Sequence, residues 1–182
     1  MSNLSILAVV LGLGTALPHF YGVARPQAYA MAVRKFPRSM PWGVALMSLA
    51  TAWFVWNVSQ ESIADFAAYK SYLLLGFAAV GIGSMIFVRD FLAVRGLAVV
   101  LLLLAKLMVD VGRPHLPDTA WVLVIQLWAY ALVIAGMWLT ISPWRLRDII
   151  EWNTASESRT RKTCLARSVF GLFIAVLGFV KY

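Results

Sequence analysis

Apolar residues form six long runs along this chain, and short connections between the runs hold most of the charged residues. The runs cover residues 4–23, 42–58, 71–88, 91–111, 121–141 and 167–180. An α-helix rises about 1.5 Å per residue, so about 20 apolar residues cross the hydrocarbon core of a bilayer, which is about 30 Å thick. The pattern therefore predicts an all-α bundle of about six transmembrane helices, of which the second and sixth are short and fit a thinned bilayer.

Lysine and arginine are concentrated in alternate connections. In chain order, the five connections hold four, one, two, one and six of them, counting basic residues at the edges of the runs. In membrane proteins the connections rich in lysine and arginine face the cytoplasm. The alternation predicts a multi-pass protein of a bacterial-type inner membrane, with both chain ends on the extracytoplasmic side.

Composition changes the picture in two ways. Hydrophobic residues make up 62% of the chain and charged residues 13%, and the mean hydropathy is +0.80. So few polar side chains cannot cover a soluble globule, and no connection is long enough for a soluble domain, which predicts a single transmembrane domain over residues 1–182. The net charge of +8 lies mainly in connections assigned to the cytoplasm, so we expect contact with anionic lipids there and none with nucleic acid.

Two connections have further features. Residues 27–36 follow Pro26 and alternate small apolar side chains with Arg34 and Lys35, which predicts a short helix at the membrane interface. The only cysteine, Cys164, is expected in the basic loop before the sixth span, in the reducing cytoplasm. No disulfide can form within the chain, and we interpret Cys164 as a structural thiol.

The two ends of the chain have similar patterns. In residues 1–58 and again in residues 121–182, a span is followed by a proline, an amphipathic segment, an Arg-Ser pair and a glycine that opens the next span, Gly43 or Gly171. The first and fifth spans are expected to cross in the same direction. A weak parallel repeat around a central hairpin, residues 71–111, is therefore topologically allowed.

The first third of the chain carries a set of recognisable motifs. They are Gly12-Leu13-Gly14, Leu17-Pro18, Tyr21, Arg25-Pro26-Gln27-Ala28-Tyr29, Phe36-Pro37 and Gly43. With these motifs, residues 1–57 resemble a family of small two-helix bacterial inner-membrane proteins of unknown function. The resemblance implies a helical hairpin in the membrane with a cytoplasmic amphipathic connector, and it implies no activity. Residues 59–140 have no counterpart in that family.

The most polar place in the predicted membrane region is the outer half of the fourth span. Lys106, Asp110 and Arg113 recur at i, i+4 and i+7 and share one helical stripe, His115 follows in the turn, and Gln126 of the next helix reaches the same depth. One interpretation is a pocket for an anion, a proton or a lipid headgroup. The other, which we favour, is an ion pair between Lys106 and Asp110 near the interface, with Lys106 extending outward.

The spacing of Lys106 and Arg113-Pro114 also resembles the first signature of lipid phosphatases that use a phosphohistidine. In that family the lysine and arginine hold phosphate. The chain has no Pro-Ser-Gly-His segment, and its two histidines, His19 and His115, are expected on opposite sides of the membrane. We treat the match as a coincidence and predict no catalytic residues, no metal site, no cofactor and no enzyme activity.

Small residues mark two predicted helix-packing faces. Ala79 and Gly83 of the third span, and Ala131 and Ala135 of the fifth, are each four residues apart, a spacing that lets another helix approach closely. Packing within the bundle and contact with another subunit both use such faces.

These observations together predict a non-enzymatic accessory or scaffold subunit of a membrane complex. Its expected partners are the lipid bilayer and another membrane protein or a second copy of the chain. The alternative is a small ion or solute transporter, or a membrane protein that binds lipid or anions through Lys106, Asp110 and Arg113.

Overall fold

The computed structural model describes residues 2–62 and 68–182, and every regular element in this part of the chain is helical. The α-helices are α1 (Asn3–Ala24), α2 (Pro26–Lys35), α3 (Met40–Gln60), α4 (Lys70–Phe87), α5 (Leu92–Gly112), α6 (Val122–Ile141), α7 (Trp144–Asn153) and α8 (Glu157–Val180). Short 3₁₀ turns, Phe36–Arg38 and Arg113–His115, precede α3 and follow α5. The all-α prediction is confirmed.

Among the described residues, five helical segments are long and apolar enough to cross a membrane. They are Asn3–Ala24, Lys70–Phe87, Leu92–His115, Val122–Ile141 and Glu157–Val180. By length and composition, these segments indicate a membrane protein. Helix α3 covers the predicted second span with 21 residues but is not among these five. The crossing by α3 therefore stays a prediction.

The connector between the first two predicted spans is helical, as expected, because α2 matches the predicted interfacial helix within one residue at each end. The expectation for the last connection was wrong. Helix α8 begins at Glu157, ten residues before the predicted span, and the Ser156 side chain caps it by accepting a hydrogen bond from the backbone N of Arg159 at 3.2 Å. Cys164 thus lies inside a helix, with 1% of its surface exposed, and not in a loop.

The chain divides into two compact units. The first consists of Met1–Lys35, Leu104–Val133 and Arg147–Tyr182. Its core joins α1, the end of α5, the start of α6, and α8, through the buried side chains of Leu4, Ala8, Ala105, Met108, Val122, Ile125, Ala129 and Ile174.

The second unit consists of Phe36–Leu103 and Ile134–Leu146. Here α3 lies close against the first half of α5: a Cβ added at Gly96 would lie 2.8 Å from the backbone N of Met47. Only residues without a bulky side chain allow helices to approach so closely.

Large apolar side chains point outward from three helices at spacings of three and four residues. On α1 they are Ile6, Val10, Leu13 and Leu17; on α6 Leu123, Leu127, Tyr130, Ile134, Met137 and Ile141; on α8 Leu165, Val169, Leu172, Val176 and Phe179. In a soluble protein such stripes face the core. Their exposure along whole helices is typical of a surface covered by lipid.

Candidate functional site

Two residues of the predicted polar stripe on α5, Lys106 and Asp110, form an ion pair. Lys106 Nζ lies 2.7 Å from Asp110 Oδ2, and both side chains are about half-exposed, at 46% and 49%. The neighbouring Ala105 and Met108 are fully buried, so the pair lies on the outward side of α5. An exposed i, i+4 pair of this kind contributes about 0.3–0.5 kcal/mol to stability.

The other predicted stripe residues form separate contacts. Arg113 is exposed in the 3₁₀ turn, where His115 Nδ1 lies 3.1 Å from Asp118 Oδ2. Gln126 is buried, and its amide Nε2 donates a hydrogen bond to the backbone oxygen of Val109 at 3.4 Å. Gln126 is therefore hydrogen-bonded to the backbone of α5. The pocket that these residues were expected to form stays a prediction.

The predicted packing face on α4 lies away from its neighbour in this chain. Gly81 is the glycine in contact: a Cβ added there would lie 2.1 Å from the hydroxyl oxygen of Thr51 on α3. Ala79 is exposed, and the nearest atom to a Cβ at Gly83 would be a side-chain carbon of Phe87 on the same helix, 3.9 Å away.

The fifth predicted span has a similar arrangement. Gly136 is buried, and a Cβ added there would lie 2.8 Å from Leu102 and 3.0 Å from the backbone oxygen of Ala98 on α5. Ala131 is exposed and Ala135 half-buried. In both helices a glycine outside the predicted pair makes the close contact: Gly81 with α3, and Gly136 with α5.

Helices α1 and α8 run antiparallel and form the most closely packed helix pair among the described residues. A Cβ added at Gly12 would lie 2.5 Å from the backbone N of Ala175, and one added at Gly22 would lie 2.6 Å from Cys164 Sγ. Ser168 donates a hydrogen bond to the backbone oxygen of Ala16 at 3.3 Å across the same seam. The two small-residue faces form a seam in which backbones nearly touch.

The sequence reasoning missed this seam, although its signal is present. On α1, Ala8, Gly12 and Ala16 repeat every four residues, and on α8 Gly171 and Ala175 do the same. Each helix carries large apolar residues on its other face, as the exposed stripes show. This small-inside, large-outside pattern is the membrane counterpart of an amphipathic helix.

Polar and reactive side chains meet where α1, α2 and α8 come together. The rings of His19 and Tyr29 lie 6.0 Å apart, and His19 Nδ1 lies 2.7 Å from the backbone oxygen of Thr15. Tyr29 also interacts with Cys164 and Arg167. Burial raises the pKa of the Tyr29 hydroxyl above its ordinary value, so this side chain stays a neutral hydrogen-bonding group.

A bidentate contact joins α2 to the turn before α8. Arg34 Nε donates to Thr154 Oγ1 at 2.8 Å, and Arg34 Nη2 donates to the backbone oxygen of Thr154 at 2.6 Å. Thr154 is buried, and its hydroxyl donates in turn to Ile150 at 2.7 Å. A planar guanidinium supplies both donors at once, which fixes the amphipathic helix α2 against the turn between α7 and α8.

No protein-family model, curated protein or solved structure matches this chain. The class of the protein, a multi-helix membrane protein, therefore rests on its own helices. The resemblance of residues 1–57 to two-helix membrane proteins stays a prediction.

Proposed function

We propose that the chain is a non-enzymatic accessory or scaffold subunit of a membrane complex in a bacterial-type inner membrane, and that it docks through one face of α4. The observation that carries this proposal is that α4 has two small-residue faces, and the described residues cover only one of them. Gly81 contacts Thr51 of α3, whereas no heavy atom of residues 2–62 and 68–182 outside its own helix turn would lie within 4 Å of a Cβ added at Gly76.

The helix geometry separates the two faces. At about 100° per residue, Gly76, Ala79 and Gly83 lie within about 60° of one another, and Gly81 lies on the opposite side of α4. Helices in membranes associate through close packing at small residues. The uncovered face has the shape that a second transmembrane helix requires.

The burial of α4 supports the same proposal. Only 6% of its most apolar stretch is buried, compared with 22% to 44% in the other four candidate spans. Lipid covers large apolar side chains as well as protein does. A glycine face gains more from another helix, because a close backbone approach increases the number of van der Waals contacts.

The proposed topology has six crossings, with both ends outside the cytoplasm. An even number is supported by the antiparallel α1 and α8, because Ser2 Oγ donates a hydrogen bond to the backbone oxygen of Tyr182 at 3.0 Å. With five candidate spans, α3 is the remaining long helix and supplies the sixth crossing. The alternation of basic residues assigns the rich connections to the cytoplasm.

Extraction in mild detergent followed by native mass spectrometry tests the docking proposal. We expect the wild-type chain to retain a second protein of different mass, and Gly83→Leu to lose it, because a leucine prevents close approach. The matched control is Gly14→Leu. Gly14 also faces away from the described neighbours, since an added Cβ would meet no described heavy atom within 4 Å beyond its own helix turn, but it lies on α1.

Three results contradict the proposal. If no second protein is retained by the wild-type chain, the accessory role is ruled out. Equal partner retention by Gly83→Leu and Gly14→Leu shows that α4 is not the docking helix. A partner with the mass of this chain replaces the accessory role with self-association.

A further inference from the structure

A groove of about 370 Å³ lies where α1 ends and α2 and α8 begin. Its lining residues are Arg25, Pro26, Gln27, Ala28, Glu157 and Arg161. Gln27 Nε2 donates a hydrogen bond to Glu157 Oε1, which holds the carboxylate on one side of the groove. Within residues 2–62 and 68–182, no side chain pairs with the guanidinium of Arg25 or of Arg161.

The groove lies at the edge of the apolar part of the protein. Arg25 directly follows the last residue of the candidate span Asn3–Ala24. On α8, the apolar sequence begins after Arg167, and Arg161 lies six residues earlier, about 9 Å along the helix axis. The headgroup layer is about 5–7 Å thick, and an arginine side chain is long enough to reach back into it.

We propose that this groove binds the phosphate of an anionic phospholipid, with Arg25 and Arg161 as its ligands. Guanidinium groups match phosphate oxygens through paired, charge-assisted hydrogen bonds. The first turn of α2 forms part of the lining and adds the positive end of its helix dipole.

A phosphate diester of a lipid fits better than free inorganic phosphate for two reasons. Leu17 and Phe20 are exposed on the C-terminal part of α1, at 65% and 66%, and offer an apolar surface for acyl chains on the helix that ends at the groove. The Glu157 carboxylate also lines the groove. It repels a phosphate dianion more strongly than the single charge of a diester.

Lipid retention measured by native mass spectrometry tests this site. The protein is equilibrated with equal amounts of phosphatidylglycerol and phosphatidylcholine. We expect the wild-type chain to retain phosphatidylglycerol preferentially, and we expect Arg25→Gln with Arg161→Gln to weaken that preference about 25-fold, or about fivefold for each arginine. The control, Arg145→Gln with Lys162→Gln, removes the same charge outside the groove lining and should weaken the preference much less, because it leaves both phosphate ligands in place.

A second variant independently tests the expected repulsion between the Glu157 carboxylate and the bound phosphate. Glu157→Gln keeps a side chain that can bond to Gln27 and removes the repulsion, so the preference for phosphatidylglycerol should rise a few-fold.

Several outcomes overturn the proposal. These are no preference in the wild-type chain, equal losses in the groove and control variants, or no rise in Glu157→Gln. Displacement of phosphatidylglycerol by excess inorganic phosphate assigns the groove to a soluble anion and overturns the lipid assignment. The outcome does not depend on docking through α4, so the two proposals fail separately.

Discussion

Gly12 of α1 and Gly171 of α8 face each other so closely that a Cβ added at Gly12 would lie 2.6 Å from the backbone oxygen of Gly171. A Cβ added at Gly171 would in turn lie 2.7 Å from the backbone N of Ala16. These are contacts with backbone atoms, which cannot rotate away. The first and last long helices of the chain are thus held together at a point where neither tolerates a side chain.

Replacing either glycine with alanine should destabilise the protein. We expect Gly12→Ala and Gly171→Ala each to lower the free energy of unfolding by about 1–3 kcal/mol, because the helices must move apart to fit the methyl group. Unfolding by denaturing detergent, followed by circular dichroism, measures this. Gly14→Ala is the control, since its new Cβ meets open space. Equal stability of all three variants would contradict the close contact.

The Arg34 contact predicts a coupling between α2 and the turn that precedes α8. Arg34→Lys should lose one of the two hydrogen bonds to Thr154, and Thr154→Val should lose the one to the hydroxyl. A double-mutant cycle is expected to give a coupling of about 1 kcal/mol, measured as the free energy of unfolding. Lys35→Gln combined with Thr154→Val is the control. A coupling as small as that of the control would mean that the contact does not hold α2 in place.

Tyr182 predicts a loss of stability at alkaline pH. Burial raises the pKa of its hydroxyl from about 10 to about 12, and the hydroxyl donates a hydrogen bond to the backbone oxygen of Trp121 at 2.7 Å. Between pH 10 and 12 the unfolded chain releases this proton while the folded chain keeps it, so stability falls as pH rises.

Urea or detergent titrations at several pH values from 9 to 12 measure this effect. We expect the free energy of unfolding of wild type to fall more steeply over this range than that of Tyr182→Phe, which lacks the Tyr182 hydroxyl proton. Below pH 10 the difference between the two proteins should be constant. Parallel curves through pH 12 would show that Tyr182 titrates like a free tyrosine.

The Lys106–Asp110 pair distinguishes the accessory role from transport. Because both side chains are about half-exposed, Lys106→Ala should change the free energy of unfolding by less than about 1 kcal/mol. We also expect no ion or solute uptake in proteoliposomes of either protein. Uptake by wild type that Lys106→Ala abolishes, with the folded fraction unchanged, would replace the proposed function with transport.

Local features were the most predictable part of this protein. Hydropathy located the α1, α4, α5 and α6 helices within a few residues, because a chain in lipid must satisfy its backbone hydrogen bonds internally and an apolar run therefore becomes a helix. The amphipathic α2 was also predictable from its composition. The start of α8 was not predictable from hydropathy, because residues Glu157 to Lys162 are polar. Only the N-cap residue Ser156 marks where the helix begins.

The helix-packing faces were only partly predictable. Spacing identified small residues on α4, but it could not tell which face meets α3. Gly81 and Gly83 both lack a side chain, and only the structure shows that Gly81 contacts Thr51. Likewise, spacing placed Gln126 at the depth of Lys106, and only the structure showed that its amide bonds to the backbone of Val109.

The sequence by itself determined that the chain is helical and apolar enough for a membrane, and where most of its helices lie, because these properties depend on neighbouring residues. Only the tertiary structure decided that α1 pairs with α8 and that Arg34 holds Thr154. It also brought Arg25 and Arg161 to one groove. Those contacts join residues more than 100 positions apart, and they depend on which faces of the helices fit together, which no local pattern records.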